Sequence, residues 1–337
     1  MKLKKLVTAV TAIAATAVLA LTGCSASPGG GSGETIKIGT VPALYWAAWS
    51  DTAEAMAEAG SDVNVEMVPF KSSADVFVAL RSGEIDMASM GMNVMAAGLA
   101  ENPELPVSMV AGLSPGRSQL LVAKDSGIDS WDDLEGANLG VIRGSTDELI
   151  FNIALAKNDI DMETDTQVTT LQASADLLLA FRNGDIDTAV TYQPYTAQAV
   201  SQGIADAPED MNAELTEWAS VPTDIFATDE IIEENPEAVQ AVVDAFVEKT
   251  NTFEDKDVWV ETALKYQSGE EDLLLEAIEN DVPWYRMEQS THAEMAAAMA
   301  EYGTVSEDVS DVLLEKMNYD FLSEATGQSP EELGKEE

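Results

Sequence analysis

Aromatic, hydroxyl, amide and guanidinium side chains recur at one kind of place in this sequence, between a short apolar run and the helix-like segment after it. Tyr45 and Trp46 follow the first such run, Ser72 and Ser73 the second, and Met92 and Asn93 the third. Further on, Arg143, Ser145 and Thr146 precede a helical segment, Gln172 follows an apolar run, and Tyr192 and Gln193 follow another. Arg117 stands just after Ser114-Pro115-Gly116. Together these side chains have the chemistry to hold a small polar solute. A helix start presents unpaired backbone N–H groups and a partial positive charge. Hydroxyls and carboxamides add hydrogen bonds, and an arginine can grip a sulfonate or carboxylate through two parallel bonds. Tyr45, Trp46 and Tyr192 can stack on a planar group. Each residue also has a plainer role open to it. Serine and asparagine cap helices, aromatic rings fill cores, and Lys71, Arg117 and Arg143 can pair with surface acids. Catalytic groups are scarce by comparison. His292 is the single histidine and lies far along the chain from these segments, Cys24 is the single cysteine, and P-loop and His-x-x-x-His spacings do not occur. Acid pairs such as Glu84 and Asp86 are inevitable among 61 acidic residues. The expectation is a protein that binds without reacting, with no metal and no cofactor.

Such residues need a scaffold that brings loop ends together, and the hydrophobic pattern supplies one. Strand-like runs at residues 36–41, 63–68, 85–90 and 107–113 alternate with helical segments at 45–59, 73–81 and 93–100. The same alternation restarts with strands at 138–142, 168–171 and 187–191 and helices at 146–157, 174–182 and 194–200. This order reads as α/β, with mostly parallel sheets flanked by helices. One stretch is nearly repeated: Ala79-Leu80-Arg81-Ser82-Gly83-Glu84-Ile85-Asp86 aligns with Ala180-Phe181-Arg182-Asn183-Gly184-Asp185-Ile186-Asp187. In each copy a helix ends on glycine and an Ile-Asp pair leads into a strand. The repeat predicts two similar lobes and a structural role for its residues. The lobes are placed at 34–115 and 116–218. A return to the first lobe with C-terminal helices covers 219–330, and a loose acidic tail 331–337. In open α/β sheets ligands sit outside the carboxyl ends of the strands, which is where the loops named above fall. The chain would cross between lobes near 113–123 and again near 218–227.

The N-terminus and the charge set the compartment and exclude some partners. Lys2, Lys4 and Lys5 precede an uncharged apolar stretch that ends in Leu21-Thr22-Gly23-Cys24. This resembles the lipobox of bacterial lipoproteins, in which the segment before the cysteine is removed and the cysteine is lipidated. Residues 1–23 are then a signal peptide, Cys24 carries the acyl anchor, and the Gly/Ser-rich 24–33 is a flexible tether. The expected location is the bacterial cell membrane, lipid-anchored and facing outside the cytoplasm. The formal net charge of -44 argues against nucleic-acid binding, which needs basic surface to neutralise phosphates.

The motifs then narrow the family. The order is ALYWAAW, VPFKSSADVFVALRSGEIDMASMG, LLVAKDSGIDSWDDLEGANLGVIRGST and LQASADLLLAFRNGDIDTAVTYQPY. Over roughly residues 35 to 230 this resembles the substrate-binding lipoproteins of ABC importers in the nitrate/sulfonate/taurine and thiamine-pyrimidine-precursor group. The resemblance implies a type II periplasmic-binding-protein clamshell, a monomer that captures a small solute between two lobes and docks on the transmembrane permease subunit. Aliphatic sulfonate or a related small oxyanion is the expected ligand, with a neutral heterocycle such as a thiamine pyrimidine precursor as the alternative. An enzyme of pyrimidine biosynthesis in the same fold group resembles this pattern but carries a cysteine-rich motif that is missing here, and a surface sensor or adhesin could use the same clamshell.

Overall fold

The computed structural model describes residues 35–279 and 281–336. The expected signal peptide, Cys24 and the expected tether lie outside the described residues. No helix among the described residues is long and apolar enough to cross a membrane.

The first lobe opens with β1 (Thr35–Thr40). After a 3-10 turn at Leu44–Trp46 come α1 (Ala47–Glu58), β2 (Asn64–Pro69), α2 (Ser73–Arg81), β3 (Met87–Gly91), α3 (Met92–Glu101) and β4 (Val107–Ser114). The second lobe comprises β5 (Gln119–Ala123), β6 (Asn138–Val141), α4 (Thr146–Lys157), β7 (Gln167–Thr170), α5 (Ala175–Asn183), β8 (Thr188–Thr191), α6 (Tyr195–Ser201), β9 (Ala205–Asp206) and α7 (Glu209–Trp218). The chain then returns through β10 (Thr223–Thr228) into the first sheet. Helices follow: α8 (Asp229–Glu234), α9 (Pro236–Asn251), α10 (Lys256–Leu264), α11 (Glu271–Ala277), α12 (Gln289–Glu301), α13 (Ser310–Glu315) and α14 (Asp320–Thr326).

Each sheet has five strands, in the orders β2-β1-β3-β10-β4 and β7-β6-β8-β5-β9. Their inner pairs are parallel, and the exceptions are informative. β10 runs antiparallel to β3 and β4, and β5 antiparallel to β8 and β9. Each of these is the first strand laid down after the chain crosses from the other lobe, so it enters its sheet from the cleft side.

The sequence repeat is structural, and for a specific reason. Gly83 and Gly184 hold φ of +71° and +75°, the left-handed turn that ends α2 and α5 at little cost only for glycine. The aspartate that follows does one job in both lobes. Asp86 Oδ2 accepts from Lys37 N at 2.7 Å, and Asp187 Oδ2 accepts from Asn138 N at 2.8 Å. Each carboxylate therefore pins the start of the neighbouring strand, β1 or β6.

The C-terminal helices complete the first lobe. α9 packs on α1 and α14, and Trp49, fully buried, stacks edge-on against Phe246 while its Nε1 donates to Gly39 O at 3.1 Å. The tail, expected to be loose, is docked. Leu333 is fully buried, and Met287 N donates to Leu333 O at 3.0 Å.

A buried pair ties this block to the returning strand. His292 on α12 and Asp224 on β10 are each about 1% exposed as side chains, with Nε2 3.0 Å from Asp224 Oδ2. Nδ1 lies 2.7 Å from Glu288 O. Both ring nitrogens face acceptors, so the imidazolium fits. Burial alone would lower the His292 pKa, but the Asp224 carboxylate and the Glu288 carbonyl outweigh it and hold the group above its ordinary value. A raised histidine pKa gives stability that is complete below the unfolded value of about 6.5 and lost as pH rises through the folded value. His292→Gln should therefore destabilise the protein by about 3 kcal/mol near pH 6. It should also flatten the fall in melting temperature as pH rises above about 6.5, as followed by calorimetry.

Candidate functional site

Two short crossings, residues 115–118 and 219–222, join the lobes, and they touch. Ser220 Oγ donates to Pro115 O at 2.7 Å. Gly116 holds φ of +93°, and a Cβ there would stand 2.6 Å from Val221 O, so only glycine lets the two backbones pass.

Beside the crossings lies a cavity lined from both lobes. From the first lobe come Val41, Ala43, Tyr45, Trp46, Lys71, Ser72 and Ser73, and from the second Ile142, Ser145, Thr146, Asp147, Ser174 and Tyr192. The crossings and the strand ends flanking them add Ser114, Gly116, Arg117, Ser118, Val221 and Thr223. Tyr45, Trp46, Ser72, Ser73, Ser145, Thr146 and Tyr192 are thus brought together as the strand-end rule predicts, and Arg117 joins them from the first crossing.

Local structure explains how they are presented. Ser72 and Ser145 cap α2 and α4, accepting from Asp75 N at 3.2 Å and Glu148 N at 3.1 Å. Ser73 is the first residue inside α2 and caps nothing. The Tyr45 hydroxyl donates to Asp281 Oδ2 at 3.0 Å, and Arg117 Nε pairs with Asp281 Oδ1 at 3.2 Å. Burial, with Asp281 beside it, raises the Tyr45 pKa and keeps the phenol protonated. Ser174 Oγ donates to the Tyr192 hydroxyl at 3.3 Å, and burial raises the Tyr192 pKa too. Lys71 is exposed and makes no ion pair among the described residues. Thr223 is buried, and its hydroxyl has no hydrogen-bond partner among the described residues.

Five expected residues stand elsewhere. Arg143 does not line the cavity; its guanidinium is held by Glu148 at 2.8 Å and Glu163 at 2.7 Å. Met92 is fully buried in the first-lobe core. Asn93, on α3, accepts from Thr146 Oγ1 at 2.9 Å and so joins the lobes rather than facing the cavity. Gln172 is exposed. Gln193 is buried, accepting from Ala197 N at 3.1 Å and donating to Gln119 Oε1 at 3.4 Å. The strand-end rule selects loops, but the angle at which each side chain leaves its backbone selects residues within them.

Sequence reasoning missed Ser118, Thr223 and above all Asp147. Asp147 is the second residue of α4, where an acid reads as an ordinary complement to the helix dipole. Thr223 lies within the predicted second crossing and was reachable by asking what borders the cleft there. Asp147 is 7% exposed, and Ser118 Oγ donates to its Oδ1 at 2.6 Å. Burial pushes its carboxyl up to about 7 despite that bond. Gly112-Leu113-Ser114-Pro115-Gly116 has the glycine–serine spacing of a nucleophile elbow. Its serine, however, ends β4 ahead of a crossing rather than a helix, and both ring nitrogens of His292 are occupied by Asp224 and Glu288.

Sequence and structure comparison now adds relatives. The profile of the NMT1-like family matches residues 30–264. The chain belongs to that family. A protein of Brucella abortus (strain 2308) described as a binding protein is 28% identical over 180 residues, 52% of each chain. The chain thus spans about half the length of the first curated relatives it matches. The taurine-binding periplasmic protein of Escherichia coli (strain K12) is 24% identical over 204 residues, 59% of this chain and 61% of its own. The crystal structure of the periplasmic aliphatic sulphonate binding protein of Escherichia coli superposes with a TM-score of 0.67 at 20% identity, covering 85% of this chain and 92% of that one. The fold is that of a two-lobed periplasmic binding protein.

The buried carboxyl has a measurable consequence. Because the folded state holds a proton that the unfolded chain releases, Asp147 costs stability as pH rises from about 4 to about 7. Asp147→Asn should stabilise the protein by up to about 4 kcal/mol at pH 8 and have little effect at pH 4. Chemical denaturation at the two pH values checks this.

Proposed function

We propose that this chain is the extracytoplasmic solute-binding component of an ABC importer. It holds a small organic oxyanion, of the aliphatic sulfonate class, between its lobes and delivers it to the transmembrane permease. The observation that carries this reading is a cavity lined from both lobes beside two short crossings. A solute touching both lobes favours the arrangement in which they are close, and only such differential affinity shifts the balance. The first turn of α2, with Lys71 beside it, supplies backbone N–H groups and a positive charge for the anion. The protein acts as a monomer held to the membrane through Cys24, and it returns its ligand unchanged.

A second reading rests on a different observation. Tyr45, Trp46 and Tyr192 all line the cavity, and three rings suit a neutral heterocycle such as a thiamine pyrimidine precursor.

A thermal-shift screen separates these readings, using alkanesulfonates, aminoalkanesulfonates, nitrate and pyrimidine precursors. A ligand at 100 times its Kd adds about 2.7 kcal/mol of stability. For a sulfonate hit, Lys71→Ala should weaken binding by about 1–2 kcal/mol. Arg143→Ala should leave affinity within twofold. An effect of Arg143→Ala larger than that of Lys71→Ala would reject this placement of the anion.

A further inference from the structure

The likeness of the two lobes extends to their outer surface, where packing does not demand it. In each lobe a strand glycine, Gly39 or Gly140, leaves room for the isoleucine that follows the helix and for an inward residue of the helix itself. These are Ile85 and Val76 in the first lobe and Ile186 and Leu177 in the second. α2 and α5 therefore lie on their sheets in the same orientation and turn equivalent residues outward. Those residues are Asp75, Val78 and Arg81 on α2 and Asp176, Leu179 and Arg182 on α5, all exposed. Three apart in sequence, they form a stripe along one helix face.

Local structure accounts for the charged members. Asp75 and Asp176 close their own helix starts, accepting from Ser72 Oγ at 2.9 Å and Ala173 N at 3.1 Å. Arg81 and Arg182 suit helix C-termini. Each is steadied from the end of the next helix, Arg81 by Glu101 at 3.5 Å and Arg182 by Gln202 at 2.5 Å. Nothing of the kind accounts for the apolar residue between them. Val78 and Leu179 are 58% and 55% exposed, two of the four large apolar side chains exposed among the described residues.

Position and size say what could cover them. Each stripe starts beside the cleft, since Ser72 and Ser73 at the start of α2 and Ser174 just before α5 line the cavity. The strands that lead into these helices, β2 and β7, lie at the sheet edges opposite the strands that meet the crossings. The stripes thus flank the cleft, one on each lobe. Each is a single apolar residue between an acid and a base, too little surface to hold a protein alone. Two stripes engaged by one partner reinforce each other, provided that their separation matches the partner's. A second copy of this chain would bring a second formal charge of -44 and is repelled.

We infer that the stripes on α2 and α5 are the docking surface for the permease, which engages each lobe through one of two matching sites. Complementarity gives the chemistry of each site. It is an apolar socket with a basic group towards Asp75 or Asp176 and an acidic group towards Arg81 or Arg182. Because both stripes must be engaged at once, the permease reads the separation of the lobes. The inference rests on the importer reading above and names the surface that reading requires.

The test places the photocrosslinking residue p-benzoylphenylalanine at Val78, at Leu179 or at the control Val282, which is 59% exposed and on neither stripe. The full-length protein is used in its native cells, with formaldehyde trapping of the wild type alongside. Val78 and Leu179 should each give a product identified by mass spectrometry as the transmembrane permease subunit, and Val282 should not. Val78→Ser and Leu179→Ser should each cut the yield of formaldehyde-trapped permease at least about tenfold. Neither change should alter the melting temperature or the response of the purified protein to the solute screen, since neither residue lines the cavity. Permease trapped by formaldehyde but not from the stripe positions would overturn this inference and leave the importer reading standing. A permease product from one stripe alone, equal yields at all three positions, or a product with a second copy of the chain would also overturn it. Failure of formaldehyde to trap any permease with the wild type would overturn the importer reading and this inference with it.

Discussion

The two crossings constrain everything else in the molecule. Between Ser114 and Gln119, and again between Trp218 and Thr223, the chain must leave one sheet and enter the other within a few residues. The two segments run side by side, held by the Ser220 bond to Pro115 O and by the missing Cβ of Gly116 against Val221. Such short, paired connections hold the cleft faces of both lobes near each other. They also dictate the sheets, since β5 and β10 are the strands that arrive from the crossings and are the ones that run against their neighbours. Contacts made on either side of a pair like this are coupled, which is the property a two-lobed binding site needs.

The lobes themselves are variations on one plan. The Gly83/Gly184 turns and the Asp86/Asp187 bonds to the start of β1 and β6 show the same local solution used twice. The cleft departs from that symmetry. The first lobe contributes Lys71 and a helix start capped by Ser72, whereas the second contributes a helix start that already bears its own buried carboxyl, Asp147.

Much of this was legible in the sequence. Alternating apolar residues and glycine-terminated helices marked the strands and helices of both lobes, and the strand-end rule reached Tyr45, Trp46, Ser72 and Tyr192 because each sits where a parallel strand opens into a loop. Arg143 was misplaced for a physical reason. Next to a helix start it looks like an anion clamp, but two carboxylates, one of them distant in sequence at Glu163, capture it outside the cavity. Asp147 was invisible because local sequence cannot distinguish an acid at a helix start that faces water from one that faces a cavity. The docked tail depended on Leu333 finding an apolar site elsewhere in the fold, information that no local window contains.

The central claim is that a small solute is held between the lobes and brings them together. Small-angle X-ray scattering of the full-length protein, with and without a saturating ligand from the screen, tests it most directly. The account predicts a smaller radius of gyration with ligand, reversed on dialysis, with the ligand recovered chemically unchanged. An unchanged radius at demonstrated saturation, or a ligand recovered as a different compound, would contradict it.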